Sequence, residues 1–257
     1  MDIELAKQEF TNFANLYLSK EDKKSSDYQN SLRKYNHSFR VMNLSERISK
    51  SLELPKEEIE LMKLCGLLHD IGRFEQGMKY HIFEDQKSID HGDLGAELLK
   101  KDNLINRFTT TNQQDIIKVV KYHNKYIIPN TLSTKIRFYI DIVRDADKID
   151  ILYSLSTEEL IYENDNNPIS DEIMKQIKKK ELVNKINIQS SIDWVVVDLA
   201  FVFDLKFKKS FEIMKEKNYH NKIIDIYSKK IKQKDDVKKL EEIRVLINNY
   251  IEEMLTC

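Results

Sequence analysis

Four histidines and three aspartates stand where side chains could gather a metal ion. His37 lies on an apolar helical face, with Val41, Leu44 and Ile48 following it at spacings of four, three and four. His69 and Asp70 end an apolar run, LMKLCGLLHD. His91 opens a helix at DHGDLGAELL, and His123 closes another in IIKVVKYHNK. The stretch IVRDADKIDIL then sets Asp145 and Asp147 into a predominantly apolar helix. An ionised carboxylate is costly to bury there unless a cation accompanies it. A bound metal supplies that charge and organises neutral imidazoles around it. Mixed His and carboxylate ligands favour Mn, Fe, Co, Ni or Zn over Ca, and allow Mg.

These residues need helices to hold them. Neighbours in a regular helix diverge by about 100°, so His69 and Asp70 reach one ion only where the helix ends or bends. Gly66 and Gly72 flank the pair, and all five glycines fall within residues 66–95, marking the segment where the chain needs unusual backbone geometry. Residues 1–20 read as an amphipathic helix, followed by a polar loop, EDKKSSDYQN. Leu54-Pro55-Lys56-Glu57-Glu58 has the character of a helix start; that helix runs to His69-Asp70, with Gly72 as its stop. Residues 77–90 read as a loop. Further helices are expected near 91–101, 114–126 and 135–155, a loop at Asn164–Ser170, and then two or three helices. These include the apolar stretch Ile192 to Phe211 and an amphipathic tail from Val237 to Leu255.

Composition narrows the function. The 42 basic and 43 acidic residues leave a net charge of -1, which provides no global field for a nucleic acid. Two cysteines, Cys65 and Cys257, are too few for a disulfide framework or a thiolate zinc site. Cys65 reads as a small buried hydrophobe, and Cys257 as a fraying end. The opening MDIELAKQEF is no signal peptide, and the apolar runs are too short for a bilayer, so the expected compartment is the cytoplasm and no membrane partner is expected. There is no Walker-type loop.

The order His37, His69-Asp70, Asp147 resembles the signature of the HD-domain superfamily of metal-dependent phosphohydrolases. The contexts HSFRV, LLHDIGRF and RDADKIDIL carry the likeness. Helical spacing leaves Asp145 and Asp147 open; the resemblance selects Asp147 as ligand and gives Asp145 a supporting place beside it. It implies an all-α, single HD-type domain with its motif-bearing core at about 30–155 and extra C-terminal helices over 171–257. One metal would take His37, His69, Asp70 and Asp147. HGDLGAELL and KYHNKYIIP resemble the second-metal regions of dinuclear members such as the HD-GYP phosphodiesterases, so a second metal would share Asp70 and add His91 and His123. Those enzymes carry adjacent histidines where this chain has Tyr122-His123, and the GYP signature is missing, so the chain is not placed among them. The implied chemistry is attack by metal-activated water on a phosphomonoester or phosphodiester in a nucleotide or related small metabolite. Asp70 would bridge the two metals in that chemistry, and Lys148, Arg73 and Arg40 would neutralise phosphoryl charge.

Blander readings stand beside these. An isolated His-Asp dipeptide says little, and His37 alone reads equally well as a core histidine. His91 could simply start a helix, His123 and Arg73 could be solvated, and His81 reads as a solvated or substrate-facing loop residue. His220 reads as a surface residue. The lysine runs IKKK and KKIKQKDDVKK read as solvated helix faces, and Trp194 with its apolar followers as core. Two rival functions remain at this level. The same six ligands resemble those of HD-fold di-iron oxygenases, and a non-catalytic nucleotide-binding module could keep the scaffold. Homo-oligomerisation is left open.

Overall fold

The computed structural model describes residues 2–163 and 165–256; Asn164 and Cys257, named above as loop and terminus, lie outside them. Among the described residues there are α-helices and short 3-10 turns but no strand, which is the all-α class expected. The chain divides into two compact units, Met1–Asp147 and Lys148–Cys257.

In the first unit, α1 (Ile3–Leu18) starts on Asp2, whose carboxylate accepts from the amides of Glu4 and Leu5. It buries Ala6, Phe10, Phe13 and Ala14 at helical spacing. The following polar segment is a loop only as far as Ser25. The Ser25 hydroxyl accepts from the amide of Tyr28 and caps α2 (Ser26–Ser51), so half of the expected loop is helix. The buried face of α2 includes His37, Ser38, Val41, Met42, Ser45 and Ile48. Against it lies α3 (Lys56–Leu68), which starts after Pro55 with Glu57 and Glu58 in its first turn. The two helices meet at Gly66. A Cβ there would stand 2.7 Å from Ser45 Oγ and 3.0 Å from the Met42 Cα, so a side chain would force α2 and α3 apart. Cys65 is buried beside it, and burial pushes its thiol pKa up.

Gly72 does not stop a helix as the sequence suggested; it begins α4 (Gly72–Tyr80). Its smallness serves close approach, because a Cβ would lie 2.2 Å from the His91 carbonyl oxygen and 2.7 Å from the Gly95 nitrogen. None of the glycines has a positive φ, so the glycine-rich segment is about packing distance and not left-handed backbone. The helix also carries residues 77–80, which shortens the expected loop to 81–90, and a 3-10 turn at Asp85–Lys87 occupies part of that. Then come α5 (His91–Lys100), capped by Asp90 accepting from the Asp93 amide, α6 (Gln113–Tyr122), and α7 (Thr134–Ser156), within which the division between the units falls.

The second unit contains α8 (Asp171–Ile177), α9 (Ser191–Leu199), α10 (Lys208–Lys217), α11 (Tyr219–Lys230) and α12 (Lys234–Thr256). That is more helices than the two or three expected. The apolar stretch from Ile192 splits because a 3-10 turn at Ala200–Asp204 breaks it. Val195, Val196 and Leu199 are core, as read from the pattern. His220 corrects the surface reading: it is buried, with Nε2 2.8 Å from Asn248 Oδ1. Its neighbours in EKNYHNK are polar, but it falls on the apolar face of α11 beside Ile223 and Ile224. Lysines of the two basic runs pair with acids, as in Lys178–Glu242 and Lys238–Asp235. No helix among the described residues is long and apolar enough to cross a membrane.

Candidate metal centre

The first unit brings all six expected ligands together. His37 comes from the middle of α2, His69 and Asp70 from the α3–α4 junction, His91 from the first residue of α5, His123 from the end of α6, and Asp147 from α7. The junction explains how His69 and Asp70 point to one place. After Leu68 the backbone stays right-handed, but hydrogen bonds tighten to the i→i−3 type, from Ile71 to Leu68 and from Arg73 to Asp70. This 3-10-like turn re-aims Asp70 relative to a continuing helix. All four histidines and Asp70 are at most 4% exposed.

Asp70 divides the cluster between its two oxygens. Oδ2 lies 3.5 Å from Nε2 of both His37 and His69. Asp147 Oδ1 closes that side, 3.0 Å from His37 Nε2 and 3.6 Å from His69 Nε2. Oδ1 of Asp70 faces the other way, 3.2 Å from His91 Nε2 and 3.7 Å from His123 Nε2. Ligand atoms in the sets His37/His69/Asp70, His69/His123/Asp147 and Asp70/His91/His123 all lie within 4.8 Å of one another.

The hydrogen bonds behind the rings decide their tautomers. His69 Nδ1 donates to the Gly66 carbonyl and His123 Nδ1 to the Val120 carbonyl, each at 2.7 Å. His91 Nδ1 donates to the Asp85 carboxylate, 2.7 Å from Oδ2. A carbonyl or carboxylate only accepts, so Nδ1 carries the proton and each neutral ring turns a bare Nε2 inward. His91 and His123 therefore aim two lone pairs at each other across 3.1 Å, buried and beside a carboxylate. Two acceptors in that position call for a proton or a metal ion between them. The donor set thus fits metal ions, and Arg144 steadies it by donating to the carbonyls of His123 at 3.0 Å and Lys125 at 2.6 Å.

Electrostatics agree with this geometry. Burial pushes the Asp70 carboxyl up, but the Lys34 ammonium, joined by the surrounding imidazoles when a proton in place of a metal sits on Nε2, outweighs it and holds the pKa well below the usual carboxylate range. For Asp147, too, burial is outweighed, here by His37 and His69, and its pKa falls well below the ordinary value. Lys34 was not found from sequence. Its Nζ donates to Asp70 Oδ2 at 2.7 Å. The available signal was its position one helical turn before His37, on the same face. Asp85, Gln76 and Asn124, which also surround the cluster, gave no periodic signal because their contacts run through a loop.

The other expected residues are placed as follows. The Arg73 side chain is anchored by Gln76 Oε1, the Phe83 carbonyl and Asp85 Oδ1, with Nε 3.7 Å from Asp70 Oδ1. Arg40 is half-buried on α2, three residues after His37. Asp145 is fully buried on α7. Lys148 ion-pairs with Asp204 within the second unit. His81 is not with the ligands; it ends α4 in the left-handed region, 64% exposed, with Nδ1 2.6 Å from Asp27 Oδ2.

An all-helical protein with a buried four-histidine, two-aspartate cluster is the class that fold and site define. The family model described as HD domain matches residues 35–152, which span the candidate ligands from His37 to Asp147. That segment matches the HD domain, a family whose members bind divalent metals and are generally metal-dependent phosphohydrolases. No curated protein and no solved structure matches the chain.

Proposed function

We propose that this protein is a dinuclear metal phosphohydrolase, cleaving a phosphomonoester or phosphodiester bond in a nucleotide or related small metabolite of the cytoplasm. The observation that carries the reading is the division of Asp70, one oxygen toward His37 and His69 and the other toward His91 and His123. His37, His69, Asp70 and Asp147 would hold one divalent ion, and Asp70, His91 and His123 the other. When bound, such ions would lower the pKa of a bound water and offset charge on the phosphoryl oxygens.

The chain's own residues supply the rest. Asp70 and Asp147 are ionised and need no proton removed before they ligate. Gly66 and Val120 carbonyls keep His69 and His123 in the ligating tautomer. Lys34 and Arg73 border Asp70 from two sides and are assigned the phosphoryl oxygens, whose charge grows in the transition state. Arg40 and Lys148 are proposed for the same task.

The experiment is metal content by elemental analysis of untagged protein, followed by a screen of nucleotides and phosphonates with Mn, Fe, Co, Ni, Zn and Mg, each with and without oxygen. Two metals per chain and oxygen-independent phosphate release support the reading, with both lost in His69→Ala/Asp70→Ala. Oxygen consumption with iron would replace it by a di-iron oxygenase. Tight nucleotide binding without turnover on any metal would replace it by a binding module.

A further inference from the structure

We propose that Asp85 is the positioning residue of the second metal site, fixing His91 for ligation and tying the site to the 81–90 loop. The inference rests on the dinuclear reading and deepens it. The need arises from where His91 stands. His69 and His123 each follow a turn of helix, and each finds its acceptor three residues earlier, at the Gly66 and Val120 carbonyls. His91 is the first residue of α5 and has no preceding helical turn to receive its Nδ1 proton. The acceptor is brought by the loop instead. Asp85, in the 3-10 turn Asp85–Lys87, sets Oδ2 2.7 Å and Oδ1 2.9 Å from His91 Nδ1.

That carboxylate is itself held from several directions. Arg73 Nη1 donates to Oδ1 at 2.9 Å, Gln76 Nε2 to Oδ1 at 3.1 Å, and Asn124 Nδ2 to Oδ2 at 3.2 Å. Arg73 lies three residues after the bridging Asp70, and Asn124 directly follows His123. Gln76 also donates to Ser88 Oγ and the Ile89 carbonyl, pinning the loop just after the turn. One side chain thus joins a ligand, the neighbour of a second ligand, and a cation beside the bridge. A charged acceptor behind an imidazole raises the basicity of the ligating nitrogen, and removing such a partner costs about 10–100-fold in metal affinity. The first metal, whose imidazole His69 leans on a backbone carbonyl, has no such dependence on Asp85.

The test is a Co(II) titration of metal-free protein, read by visible absorption and by equilibrium dialysis, for wild type, Asp85→Asn and Asp85→Glu. Wild type should take two equivalents. Asp85→Asn should take the first with near wild-type affinity and the second about 10–100-fold more weakly, and Asp85→Glu should recover part of the loss. Retention of the first site and an unchanged far-ultraviolet dichroism spectrum show that the variant is folded. Two equally tight equivalents in Asp85→Asn would overturn the inference while leaving the dinuclear reading intact. Equal weakening of both sites would also overturn it, making Asp85 a general support of the fold. Fewer than two equivalents in the wild type would remove the dinuclear reading itself.

Discussion

Replacing Lys34 by Met should cost the metal-free protein far more than the metal-bound one. Lys34 Nζ sits 2.7 Å from Asp70 Oδ2, with the two side chains 11% and 2% exposed. Burial lowers the Lys34 pKa, Asp70 opposes that, and Arg73 and Arg33 lower it further; the ammonium stays beside Asp70 because that carboxylate needs a cation. Methionine keeps the apolar stem but leaves Asp70 buried without its nearest ammonium. Removing one partner of a buried pair typically costs about 3–5 kcal/mol. Arg73 Nε remains 3.7 Å from Asp70 Oδ1, which places this case near the lower end, at about 3 kcal/mol. With Mn(II) or Co(II) saturating, the metals supply the missing charge, and the loss should shrink to about 1 kcal/mol or less, the worth of a redundant pair. The assay is urea unfolding by circular dichroism at about pH 8, above the ordinary imidazole range, with EDTA and with metal. Trp194, the sole tryptophan, follows the second unit separately by fluorescence. Equal losses with and without metal, or a metal-free loss below about 0.5 kcal/mol, would refute the charge-compensation argument.

Gly72→Ala drives a Cβ to 2.2 Å from the His91 carbonyl; an overpacking cost of about 1–3 kcal/mol is expected, with the second metal weakened before the first in the same Co(II) titration. Phe10→Ala empties a fully buried position ringed by Tyr35, Phe39 and Phe74; a loss of about 3–5 kcal/mol is expected, without change in metal stoichiometry of the folded fraction. In metal-free protein, Asp70, Asp85 and Asp147 all have depressed pKa values. Their contribution is therefore complete above the unfolded aspartate value of about 3.9 and is lost as pH falls below it through the folded values. Urea midpoints should drop on that acid side, and Asp85→Asn should flatten part of the slope.

Much of this protein is local in origin and so was legible along the chain. The 3–4 spacing of apolar residues marks α1, α3, α5, α6 and α7 because helical periodicity needs no tertiary information. The six candidate ligands were visible because each stands at a helix end or on an apolar face, where a bare polar group calls for a partner. The tertiary structure alone decided what those residues do for one another. Asp70 splits its oxygens because a tightened turn re-aims it between two histidine pairs, each drawn from elements some thirty residues apart. Gly72 reads as a helix stop by residue type, but is a helix start because α5 crosses so close that a Cβ cannot fit. Polar neighbours hid the burial of His220, which the packing of α11 against α12 decides. Asp85 sits in a loop without periodicity, and its meaning comes only from the missing helical turn before His91. Such contacts join residues through irregular backbone and helix-to-helix distance, quantities to which a one-dimensional pattern of polarity is blind.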